Sequence, residues 1–92
     1  MVGEHEGGQK VIPKRTRDNI DRYVKEHHPP GSFLIAVLSN DLVESIGWAD
    51  EGNREALFEI VGYCYNMIPS ECWGSRKAVR RWLMGDDNIL IE

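Results

Sequence analysis

Residues 54–69, Arg54-Glu55-Ala56-Leu57-Phe58-Glu59-Ile60-Val61-Gly62-Tyr63-Cys64-Tyr65-Asn66-Met67-Ile68-Pro69, decide the fold. Leu57, Ile60, Val61, Cys64 and Ile68 recur at i, i+3, i+4, i+7 and i+11, which is one face of an α-helix. Pro69 ends the pattern, because it lacks an N–H and clashes with the preceding turn. This is the clearest helix in the chain, and the segments on either side read the same way.

Upstream, Phe33-Leu34-Ile35-Ala36-Val37-Leu38 is apolar all round and belongs at the centre of a core. A buried strand is the alternative, since β-branched residues occur in it. Helix is preferred because the pattern carries on through Leu42, Val43 and Ile46 at helical spacing. Ser39-Asn40-Asp41 interrupts with three poor helix formers, and Asp41 with Glu44 matches a capping box, so the chain either runs on as one long helix or breaks or kinks at Asn40 into two short ones. Gly47–Asn53 is a loop or a weak continuation, with Asp50 placed to cap the helix that follows. Nearer the N-terminus, Thr16 is a suitable N-cap with Asp18 close behind, and Ile20, Tyr23, Val24 and His27 share one helical face. His28-Pro29-Pro30-Gly31 stops that helix, and Ser32 is placed to cap the next. Downstream, Pro69–Gly74 is a loop, and Ser75 caps a last helix carrying Val79, Trp82 and Leu83, with Gly85 as its stop. The expectation is an all-α, compact small bundle of about four to five short helices. Residues 1–15 form a flexible N-terminal arm, 16–85 the helical domain, and 86–92 a tail. In that tail, Ile89-Leu90-Ile91 docks on the body or adds a strand to a partner.

Ninety-two residues make one domain. A chain this short buries only about 60–65% of its unfolded surface, so a partner or a second copy would add much to its stability. The composition, 41% hydrophobic and 28% charged, is that of a folded protein. No apolar run approaches the ~18 residues of a membrane span. The first ten residues lack the apolar stretch of a signal peptide, so a cytoplasmic protein is expected, with Cys64 and Cys72 as free thiols. Net charge is −4, unevenly spread: residues 31–75 hold seven acids and one base, Arg54. That acidic middle disfavours direct DNA binding, which needs a basic face, and favours a basic partner.

No catalytic constellation is visible. His5 lies in the arm, His27 and His28 end a helix, and nothing orients them against Cys64 on its apolar face. Cys72, in a loop, is expected to be the more exposed thiol. The spacings match no metal site, and no cofactor is expected. Three groups remain as binding candidates. Glu51, Glu55 and Glu59, with Asp50 beside them, lie at spacings of four on the face opposite Leu57 and Ile60. They form either an ordinary solvated face or a contact for a basic surface of a protein partner. Trp73 and Ser75, followed by Arg76, Lys77, Arg80 and Arg81, place an aromatic and stacked bases at a helix start, a mixture suited to a small nucleotide. The plainer reading makes that Trp core and pairs those bases with acids. Asn40, Asp41, Asp50 and Asn53 are caps and turn formers, or else part of a buried polar site.

Pro30-Gly31-Ser32-Phe33-Leu34, Ala36-Val37-Leu38, Asn40-Asp41-Leu42, Ala49-Asp50 with Asn53, Pro69, and Cys72-Trp73-Gly74-Ser75 with Trp82 form a recognisable pattern. It resembles a group of small, mostly uncharacterised proteins encoded in bacteriophage and prophage genomes. The likeness spans Tyr23 to Trp82 and brings no assigned activity or site residues. It implies an accessory protein that works by binding, for example one that inhibits a host defence or regulatory complex as anti-CRISPR proteins do. Any exposed member of Trp48, Tyr63, Tyr65 and Trp73 would be its anchor. The competing expectation is an oligomeric sponge for a nucleotide-like signalling molecule.

Overall fold

The computed structural model describes residues 11–84. Helix α1 spans Lys14–Glu26, α2 Ser32–Leu38, α3 Leu42–Trp48, α4 Glu51–Glu55, α5 Leu57–Met67 and α6 Arg76–Met84, with a 3-10 turn at Ser70–Cys72. No strand occurs among the described residues, and the fold is all-α. There are more helices than the pattern suggests because the chain breaks at Ala56 as well as at Asn40. Helix α1 takes in the last two residues of the expected arm; residues 1–10, Gly85 and the tail 86–92 lie outside the described residues.

The run Phe33–Leu38 is the central helix. Phe33, Leu34, Ala36, Val37 and Leu38 are all buried, against Ile20 and Tyr23 of α1, Ile60 and Cys64 of α5, and Val79 of α6. Its end is built by Asn40. At φ +64 this residue takes the left-handed conformation, which Asn tolerates better than most side chains. The Asn40 N–H then reaches the Val37 carbonyl at 3.0 Å and the Asp41 N–H reaches Ala36 at 2.9 Å, the paired bonds of a Schellman close. Asp41 at once starts α3, its carboxylate accepting the Glu44 N–H at 3.1 Å. Only half of the expected capping box forms. The Asp41 N–H is already committed to Ala36, and the Glu44 carboxylate accepts the Trp48 indole N–H instead, at 3.3 Å.

Four contacts close the bundle on one side. The buried Tyr23 hydroxyl donates to the Cys72 carbonyl at 2.7 Å, and the Trp82 indole N–H donates to the Tyr23 carbonyl at 2.9 Å. His27, left-handed at φ 58, donates through Nδ1 to the Trp82 carbonyl at 2.6 Å and stacks on its ring at 4.5 Å. Gly74, at φ +113, donates its N–H to the Leu38 carbonyl at 2.6 Å, a backbone approach that a Cβ-bearing residue would make only under strain. On the other side, Tyr63 of α5 donates to Asp21 of α1 at 2.7 Å, and the Arg17 guanidinium lies 5.1 Å over its ring.

Two helix starts differ from expectation. Pro13 rather than Thr16 precedes α1, where its fixed φ suits a helix entry. Thr16 is buried inside the helix and donates to the Asn53 side chain at 2.6 Å. Gly31 rather than Ser32 occupies the N-cap of α2, and no side chain caps it.

Two buried hydroxyls give opposite expectations. Tyr23→Phe leaves the Cys72 carbonyl without its partner and should cost about 1–2 kcal/mol in urea unfolding. Ser39 Oγ is buried without a hydrogen-bond partner, so Ser39→Ala should leave the midpoint unchanged or raise it.

Candidate functional site

Helix α3 is built inside out. Its pattern, continuous with the central run, points Leu42, Val43 and Ile46 at the core, and the structure turns all three to solvent. Val43 is 83% exposed, Leu42 65% and the neighbouring Trp48 58%, with Ile46 also exposed. The inward side carries Ser45 and, four residues on, Ala49, both buried. The reason is the turn at Asn40. It redirects the chain, so the apolar phase of α2 is not inherited by α3. The small residues let α3 lie close to the body, with the Ser45 hydroxyl on the Asp41 carbonyl at 2.7 Å. Val43, Glu44, Gly47 and Trp48 line a hollow on the outward surface.

The helix is held from its first turn. Arg76 Nη2 lies 2.6 Å from Asp41 Oδ2, joining the start of α3 to the start of α6. The Glu44 N–H, and then the Arg76 guanidinium, hold the Asp41 carboxyl below the usual carboxylate range.

The acids sit next along the chain, in a different arrangement from the expected stripe. Glu51 and Glu55 are exposed on α4, but the helix breaks at Ala56 (φ −101, ψ 13) before Glu59, which is half-buried on α5. Ala56 is buried in the core, which places the break against the body. Glu51, Glu55 and Glu59 therefore do not share one unbroken helix. Asp50 is exposed and caps α4, accepting the Asn53 N–H at 2.8 Å. Arg54, the one base of residues 31–75, reaches back to the Ala49 carbonyl at 3.3 Å.

The second candidate group is divided. Trp73 is half-buried and packs against the core. Ser75 caps α6 as expected, its hydroxyl accepting the Ala78 N–H at 3.1 Å. Arg76 is paired with Asp41, while Lys77, Arg80 and Arg81 are exposed. Of the four aromatic residues expected to compete as anchors, Trp48 and Tyr65 are exposed, Tyr63 is tied to Asp21, and Trp73 is packed.

Both cysteines are free and fully buried, Cys72 included, although its loop position predicts exposure. The 3-10 turn folds its thiol inward, against the Pro69 carbonyl at 3.1 Å. Burial, with Cys72 nearby, pushes the Cys64 thiol up to about 12, and burial pushes Cys72 up to about 11. Neither is a thiolate nucleophile at neutral pH. Among the described residues no group of three or more His, Cys, Asp and Glu could hold a metal ion, and no helix is long and apolar enough to cross a membrane. No known protein family, curated protein or solved structure matches the chain.

Helical periodicity alone assigns the outward residues of α3 to the core, and they are exposed. The signal that identifies them is the small pair Ser45 and Ala49 at i, i+4 on the opposite side. The buried thiols give a pH test. A Cys64 thiol ionising at about 12 in the fold and at an ordinary 9.0 when unfolded stabilises the fold fully below pH 9, and this stability is lost as pH rises toward 12. Thermal unfolding of the wild type should therefore weaken across that alkaline window, and less steeply in Cys64→Ala.

Proposed function

We propose that this chain is a non-enzymatic binding protein of the phage-accessory kind. It docks through α3 on a host protein of a defence or regulatory complex and inhibits it, in the cytoplasm of the host cell. The observation that carries this reading is the inverted helix. Exposing Leu42, Val43, Ile46 and Trp48 while burying Ser45 and Ala49 does nothing for the fold of the free chain. Apolar side chains at helical spacing are what a partner groove accepts, and Trp is among the residues that most often dominate such contacts. Glu44 on α3, and Asp50, Glu51 and Glu55 just beyond it, supply an acidic rim, with Glu59 further along. The matching partner has an apolar cleft edged by Lys or Arg. A second copy of this chain fits the α3 face poorly, because a two-fold contact would set the same acids against one another.

The nucleotide-sponge reading has less support. Trp73 packs inward and Arg76 is spent on Asp41, which leaves Lys77, Arg80 and Arg81 without the aromatic partner and the arginine that a nucleotide site there would use.

The test compares wild type with Val43→Asp, Trp48→Ala and Glu55→Lys in capture from host lysate, followed by affinity measurement on the captured protein. Trp48→Ala should weaken binding about thirtyfold, the effect of losing a hot-spot anchor. Glu55→Lys should weaken it less and lower its salt sensitivity. Equal capture by Val43→Asp and wild type would remove α3 as the docking element.

A further inference from the structure

The hollow on the outward side of α3 has walls of two chemical kinds. Val43, Glu44, Gly47 and Trp48 line about 310 Å³ of open space there. At i, i+1, i+4 and i+5 they form one strip of the helix surface. The Glu44 carboxylate accepts the Trp48 indole N–H, which holds an acid at the edge of the exposed ring. Gly47 keeps the strip open, since a Cβ added there would meet nothing within 4 Å. Its backbone is not left-handed, and glycine weakens a helix relative to alanine, so the fold gains nothing from it.

Glu44 is also an acid without a base. Among the described residues it makes no ion pair, while Arg76 is held by Asp41 and Arg54 reaches the Ala49 carbonyl. Asp50 and Glu51 follow Trp48 closely in the chain and add to the negative field. The exposed side of α5, with Phe58, Tyr65 and, against its spacing, Val61, offers only apolar and aromatic groups.

We propose, resting on α3 as the docking face, that this hollow receives one arginine side chain of the partner. Its guanidinium lies against the Trp48 ring and pairs with the Glu44 carboxylate. Among aromatic side chains Trp attracts a cation best. A guanidinium is planar and weakly hydrated, so it stacks on a ring while its N–H groups reach an acid. Lysine, a strongly hydrated point charge, fits less well. Val43 flanks the methylene stem, and the space over Gly47 lets it pass. The volume lies at the lower end for ligand sites, a size for one side chain. The same acids repel phosphate and carboxylate ligands.

The probe is N-acetyl-arginine amide, titrated into the full chain at neutral pH and constant ionic strength. The readout is the Trp48 indole N–H signal in heteronuclear NMR. One cation–π contact with one exposed ion pair gives half-saturation at about 30–100 mM. The signal should shift saturably, less with N-acetyl-lysine amide, and not with N-acetyl-leucine amide. The Trp82 indole N–H, bound to the Tyr23 carbonyl, is the internal control and should not move. Gly47→Leu fills the hollow, and Glu44→Gln removes the charge while keeping an acceptor for the indole. Each should weaken the response about fivefold or more, with helicity unchanged. No saturable shift in the wild type, an equal response to the leucine amide, or a response that survives both variants overturns the arginine seat. These outcomes are read on the free chain. They stand apart from the capture experiment, in which Val43→Asp tests docking through α3 itself.

Discussion

The Tyr23 side chain and backbone make three attachments at one point. Its ring fills the core, its hydroxyl holds the Cys72 carbonyl at 2.7 Å, and its own carbonyl receives the Trp82 indole N–H at 2.9 Å. A domain of 92 residues buries too little apolar surface to fix its helices by packing alone. Polar contacts at the core edge settle which helix ends meet. Here they tie the end of α1 to the loop before α6 and to α6 itself, with the His27–Trp82 contact closing the same seam. Gly74 then pins that loop to the end of α2. The first two helices of the described residues and the last loop and helix, distant from them in sequence, are thus held around one tyrosine.

That arrangement leaves α3 outside. The central helix α2 is covered by α1, α5 and α6 without help from the large side chains of Leu42, Val43 or Ile46. The Schellman close at Asn40 and the cap at Asp41 are local devices, yet together they decide which way α3 faces. Arg76 fixes the result by gripping the same carboxylate. Residues that would be core in a straight continuation become surface, and this exposed apolar helix beside an acidic segment is what the proposed docking role rests on.

Much of the fold was legible in the sequence, because helical period and proline stops are strong, short-range signals. Ile20 with Tyr23, the Phe33–Leu38 run, and Ile60 with Cys64 all fall inside as their spacing requires. The break at Asn40, the cap at Asp50 and the cap at Ser75 were also readable from residue type. Tertiary demand overrode the rest. Thr16 has the chemistry of a cap, but its hydroxyl is needed by Asn53. Cys72 has the position of a loop residue, but its turn folds under Tyr23. The acidic spacing of four holds only while the helix is unbroken, and Ala56 breaks it. Val61 and the apolar residues of α3 show the deeper difficulty. Periodicity reports that a face is apolar, and it does not report whether the chain itself or another protein covers that face.

The central claim is that the large side chains of α3 face water in the free protein. Methyl NMR with a soluble paramagnetic agent tests this residue by residue. The account predicts strong broadening of the Leu42, Val43 and Ile46 methyls, while those of Leu34, Val37, Leu38 and Ile60 stay sharp. If the α3 methyls are as protected as those of Leu34, the helix packs inward. The docking surface would then not exist.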